Sequence, residues 1–180
     1  MTHHRAGNLI VTYLLNMMMV WLQALLFLLR NRWSTATYLN LDGDRLQPCS
    51  QTGTALTGYT RNGYCVDQND DTGSHHICIN LGSIASSGQN FCEVTGQSDW
   101  CSSDSMPCHE NSAESCAIEN WCVCQWAFAS YIEKAGVCDA IQDIQCDAVN
   151  MQALTAYESN SGTYGEALAC LKERCLTSVE

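Results

Sequence analysis

In the stretch Glu119–Phe128, ENWCVCQWAF, Cys122 and Cys124 stand one residue apart between Trp121 and Trp126. Two thiols so close suit three kinds of chemistry: a redox couple, a pair of metal ligands, or two separate anchors of a disulfide framework. A catalytic thiol needs an exposed cysteine of lowered pKa, most often in C-x-x-C at a helix N-terminus. Cys122 falls near such a terminus, where the helix dipole favours a thiolate, but its neighbours are apolar, and burial works the other way. Zinc is the second candidate. Cys49, Cys65, His75 and Cys78 offer the sulfur and nitrogen ligands that zinc takes at about 2.0–2.3 Å. No C-x-x-C pair occurs in the chain, however, and paired C-x-x-C knuckles are the strong zinc signal. Without a metal, His75 and His76 read as a satisfied strand histidine and an exposed neighbour. Nothing in the spacing nominates a base for a cysteine hydrolase, and no glycine-rich phosphate loop or serine-nucleophile elbow is present.

The third chemistry is supported by number. Thirteen of the 180 residues are cysteine, and all lie at or after Cys49. At that density a disulfide scaffold in an oxidising compartment is the default. The disulfide candidates are Cys49, Cys65, Cys78, Cys92, Cys101, Cys108, Cys116, Cys122, Cys124, Cys138, Cys146, Cys170 and Cys175. The odd count leaves at least one without a partner in the chain. Charge follows the same division. All nineteen acidic residues come after Asn40, against five basic ones after Ser34, a net of −14 for that portion. Such a field repels phosphate backbones, which argues against nucleic acid as a partner. The acidic run DQNDDTG, Asp67–Gly73, lacks the ligand spacing and closing Glu of a calcium loop and reads as a solvated turn.

The elements that must position these residues begin with an apolar N-terminus. Twenty-four uncharged residues separate Arg5 from Arg30. As a helix they would run roughly 36 Å, enough to cross a hydrocarbon core of about 30 Å. A signal anchor over residues 1–33, spanning the membrane through residues 8–29, is the expectation; a signal peptide cleaved near Ser34–Ala36, giving a secreted protein, is the alternative. Flanking charges do not set the orientation, but the cysteines place the rest on the lumenal or extracellular side. No Asn-x-Ser/Thr acceptor occurs.

Residues 34–48 read as a polar linker and 49–180 as the cysteine-rich domain. Leu56–Val66 suits a hairpin with Asn62-Gly63 as its turn. HHICINL, ending at Leu81, looks like a short buried strand. The polar stretch from Ser83 to Ser115 is too long for an unstapled loop, and Cys92, Cys101, Cys108 and Cys116 are placed to hold it. A buried central helix is expected over Trp121–Ala135, capped by Asn120 and stopped by Gly136. A second follows Asp147 with Met151 and Leu154 inward, and a third opens on a Thr163–Glu166 capping box and carries Tyr164, Leu168, Leu171 and Cys175. Positions five apart on a helix lie about 8.6 Å apart, beyond the roughly 7 Å limit for a disulfide. Cys170 and Cys175 must therefore tie the third helix to two other places. On the expected central helix, Cys122 and Cys124 are about 200° apart, too far round to share a bond or an ion. The fold class is α+β: short strands or a hairpin and about three helices, stapled by disulfides.

Several blocks resemble the uncharacterised family catalogued as domain of unknown function 2237. They are LQPCS around Cys49, TGYTRNGYC ending at Cys65, DTGSHHIC with Asp71, Gly73, His75 and Cys78, and WCVC at Trp121–Cys124. The resemblance covers about Leu39–Tyr157 and excludes the apolar N-terminus. Ala127-Phe128 stands where the family pattern has an Arg-Trp pair, and CDAVN, Cys146–Asn150, where it has Thr-His. Five cysteines fall in family blocks, and the other eight look like reinforcement for an oxidising setting. The resemblance implies a shared fold, and the family has no established activity to carry over.

The function expected from these features is a membrane-anchored, disulfide-stabilised structural or interaction protein without catalytic activity, a component of a larger membrane-associated assembly with other protein subunits as partners. The competing class is a zinc- or thiol-dependent enzyme built on the family cysteines and His75.

Overall fold

The computed structural model describes residues 38–68 and 70–176. The expected anchor therefore lies outside the described residues; among these, no helix is long and apolar enough to cross a membrane. What is described is a small α+β domain. Its order is β1 (Ile77–Asn80), α1 (Phe91–Thr95), β2 (Met106–Pro107), β3 (Ser115–Cys116), β4 (Asn120–Val123), α2 (Gln125–Ala135), α3 (Met151–Ser159) and α4 (Ser161–Cys175).

β1 and β4 form the central antiparallel pair, in the register Ile77↔Val123, Cys78↔Cys122, Ile79↔Trp121 and Asn80↔Asn120. β4 is buried along its whole length, so Trp121–Val123 is apolar in a run rather than in alternation. Such a run continues the apolar pattern of the helix that follows, which is why the expected helix reaches back to Trp121. The β-branched and aromatic residues of Trp121–Val123 instead complete a ladder, and the helix starts only at Gln125. From there Phe128, Tyr131 and Ile132 follow helical spacing on one buried face. Gly136 ends α2 in the left-handed region (φ +82°), its N–H donating to the Ile132 carbonyl at 2.9 Å.

Packed on this pair, α2 meets α1 and α4, and α3 lies against α4. Phe91, Phe128, Tyr131, Tyr157 and Leu171 fill the main core between them. The inward residues of α3 are Ala153 and Tyr157, while Met151 and Leu154 are half-buried. Asn150 caps α3 by accepting from the Gln152 N–H at 3.0 Å. The expected capping box does not form. Thr163 lies inside α4, whose backbone kinks at Tyr164, and its N-cap position Asn160 makes no side-chain bond.

Three other expectations change. Residues 38–48 are part of the domain rather than a linker: Leu41 and Leu46 are buried, and Asn40 bridges to Asn150. Leu56–Val66 makes consecutive turns instead of a ladder, with the Gly63 N–H on Thr57 and the Gly63 carbonyl accepting from Cys49. The Ser83–Ser115 stretch contains α1 with its own capping box, Asn90 and Glu93. It is closed by two local bridges, Cys92–Cys101 and Cys108–Cys116, the second tying β3 to the residue after β2.

Candidate functional site

Six disulfides join Cys49–Cys78, Cys65–Cys122, Cys92–Cys101, Cys108–Cys116, Cys138–Cys170 and Cys146–Cys175. Cys170 and Cys175 thus tie α4 to two separate turns, as helix geometry requires. The free thiol is Cys124, half-buried at the N-cap position of α2, and Cys122 is bonded. Cys122 lies on β4 rather than on the helix, so helical rotation does not set it apart from Cys124. What separates them is that Cys122 is committed to Cys65.

Two of the bridges share one site. The sulfurs of Cys49, Cys65 and Cys78 lie within 4.8 Å of one another. The fourth, that of Cys122, is bonded to Cys65 and comes from the rung of the β1–β4 ladder that also carries Cys78. With Ala148 these four make a small buried cluster of their own, distinct from the main core. Three of the four residues considered as zinc ligands are therefore together. His75 is not among them. In the bridged state the quartet has no thiolate to offer and acts as a double staple between β1, β4 and the loops before them.

Next to the staple, the residues before β1 form a turn around a carboxylate. Asp71 is buried, and its oxygens accept from the backbone N–H of Gly73 (3.0 Å) and of His75 (3.0 Å) and meet the His75 ring Nδ1 at 2.9 Å. The run read as a solvated turn therefore hides its key residue. Burial alone would raise the Asp71 carboxyl; the hydrogen bonds and charge of His75, with the Gly73 N–H, outweigh it and hold the group below the ordinary carboxylate range. A carboxylate only accepts, so Nδ1 of His75 carries the proton and Nε2 is the basic nitrogen, with no partner among the described residues. A Cβ on Gly73 would come within 2.8 Å of the His75 ring, so the ring can sit here only over glycine. Ser74 adopts φ +47°, a conformation uncommon outside glycine.

The two histidines exchange the roles read from the sequence. His76 is the buried one, its Nδ1 2.9 Å from Oε1 of Gln125 at the start of α2. Its Nε2 lies 3.2 Å from Asp67 but off the line of a hydrogen bond. His75 is half-exposed and stacks on Tyr59, ring centroids 5.7 Å apart. Desolvation and the Asp70 and Asp71 carboxylates raise the Tyr59 hydroxyl. Close by opens an acidic cleft lined by Tyr38, Thr60, Asp67, Gln68, Asp70 and Asp71. Arg61 lies over the Trp121 ring at 4.9 Å, and Trp126 packs against Tyr164 at 5.0 Å. A carboxylate four residues before a histidine, across a glycine, was the available signal for the Asp71–His75 pair. Nothing local marks Tyr59 or Gln125 as its neighbours.

Both sites fall in the blocks of family resemblance. A family model described as "Uncharacterized protein conserved in bacteria (DUF2237)" matches residues 39–161, and the chain belongs to this family. No curated protein matches the chain. The two departures from the family pattern acquire physical meaning. Phe128 is fully buried in the core of α2, and CDAVN supplies both a bridge through Cys146 and the cap of α3 through Asn150.

Proposed function

We propose that this member of the family is a disulfide-locked interaction domain on the lumenal or extracellular side of a membrane. In this reading residues 8–29 anchor it, and it serves as a subunit of a larger assembly rather than as an enzyme. One observation carries the reading: twelve of thirteen cysteines are committed to bridges, among them Cys122, one of the two thiols that first suggested thiol chemistry. A framework so thoroughly oxidised fits a compartment where glutathione does not keep thiols reduced. It also leaves a rigid surface, and the net charge of −14 after Ser34 favours partners with basic faces. Membrane fractionation tests the proposal. The chain should resist alkaline extraction, its domain should be cut only by protease on the non-cytoplasmic side, and a stoichiometric partner should co-purify in mild detergent. A soluble, monomeric chain without a partner would refute it.

A second reading rests on the Asp71–His75 turn. A buried carboxylate orienting a half-exposed imidazole beside an open cleft is the arrangement of a general base awaiting a substrate. His75→Gln separates the two readings. The interaction domain keeps its partner in that variant, whereas a catalytic site would lose turnover of any substrate found for it.

A further inference from the structure

We propose that in the reduced chain Cys49, Cys65, Cys78 and Cys122 hold one zinc ion as a tetrathiolate, the two bridges being the oxidised form of the same site. Separate disulfides have no need to converge, yet here sulfurs from two bridges lie within 4.8 Å of one another. Four thiolates around zinc, each about 2.3 Å from the ion in a tetrahedron, stand about 3.8 Å from one another. The Cys122 sulfur, bonded to Cys65, is the fourth ligand available beside those of Cys49, Cys65 and Cys78.

The backbone is held independently of the bridges. The Cys49 N–H donates to the Gly63 carbonyl at 2.8 Å, and the Cys65 carbonyl accepts from the Asn150 amide at 3.0 Å. The Cys78 carbonyl accepts from the Gln145 N–H at 3.0 Å, and the Cys122 N–H donates to the Thr57 hydroxyl at 2.8 Å. Cys78 and Cys122 are also fixed opposite each other in the β1–β4 ladder. Four ligands preset in this way lose little freedom on binding. The site is closed and four-coordinate, with all four residues buried, which suits a structural ion rather than a catalytic one.

The conversion balances with a dithiol as reductant. Each bridge takes two electrons and two protons, breaking one S–S bond, while the dithiol leaves as its own disulfide. The ion then displaces the four thiol protons to solvent. His75 takes no part, because its ring nitrogens are not among the ligand atoms gathered at the sulfur cluster.

The test uses the full chain, reduced under nitrogen, loaded with Zn2+ or Co2+ and desalted. One ion per chain is expected, and the cobalt form should show the intense d–d and charge-transfer bands of four sulfur ligands in a tetrahedron. Cys78→Ser and Cys122→Ser should each lose the ion or change that spectrum to fewer sulfurs. The paired variants Cys108→Ser/Cys116→Ser and Cys146→Ser/Cys175→Ser should keep the full spectrum, and so should His75→Gln. Failure to retain an ion would overturn the proposal. So would retention that is indifferent to Cys78 and Cys122 but lost in either paired variant.

Discussion

Removing the Cys65–Cys122 bridge should cost far more than removing Cys108–Cys116, although each is one S–S bond. The first joins residues 57 apart and the second residues 8 apart. Two local bridges lie inside the larger loop and short-circuit 9 and 8 residues of it, leaving an effective loop of about 40. Chain-entropy scaling then gives about 3.9 kcal/mol for Cys65–Cys122 and about 2.5 kcal/mol for Cys108–Cys116. Cys65 and Cys122 are also fully buried, so alanine in their places leaves space worth roughly another 1 kcal/mol. The Cys65→Ala/Cys122→Ala chain should therefore melt roughly 10–20 °C lower than the parent, with the Cys108→Ala/Cys116→Ala chain falling by about half as much. Scanning calorimetry or circular dichroism of the full chains under non-reducing conditions reads the difference. Equal losses, or a greater loss at Cys108–Cys116, would refute the view that the quartet staple joins distant parts of the fold.

Asp71→Asn should destabilise the domain by about 1–3 kcal/mol at neutral pH, because the amide can no longer accept all three bonds from Gly73 and His75. The parent's Asp71 carboxyl is held below its unfolded value. Its contribution is therefore complete above the unfolded pKa of about 3.9 and is lost as pH falls through the lower folded value. Urea midpoints from pH 7 down to pH 2 should show a shallower acid limb in the variant than in the parent. Asn150→Ala removes the cap of α3 and the bond to the Cys65 carbonyl together, and should cost about 2–3 kcal/mol by the same measurement. Gly73→Ala should displace the His75 ring from Asp71, seen as changed His75 ring resonances in NMR with the fold retained.

Several of these features could be read from the chain and others could not, for reasons that differ by element. The ICIN strand and the end of α2 at Gly136 are local: an apolar run and a glycine in the left-handed region specify them without reference to anything distant. The tethering of Cys170 and Cys175 to separate partners follows from helix geometry alone. β4 escaped because a strand buried on both faces has no alternation, and Trp121–Val123 abuts a real helix with one residue between. Only pairing with β1, more than 40 residues earlier, distinguishes the two. The quartet was half legible. Cys49, Cys65 and Cys78 could be nominated by residue type, but Cys122 could not join them while it was placed on a helix. His75 stands out by its chemistry, but its carboxylate partner does not, because an acidic run is usually solvated. Residues 38–48 carry only two buried apolar side chains, Leu41 and Leu46, too few to stand out as part of a core.

The bonding of the cysteines is the claim on which the rest depends, and intact-mass analysis tests it most directly. The native, non-reduced chain should take up one alkylating group at most, on Cys124, and thirteen after reduction and unfolding. Proteolysis of the non-reduced chain should yield linked peptides containing Cys49 with Cys78 and Cys65 with Cys122. Four or more reactive thiols in the native chain isolated without reductant, or Cys122 linked to neither, would contradict the account.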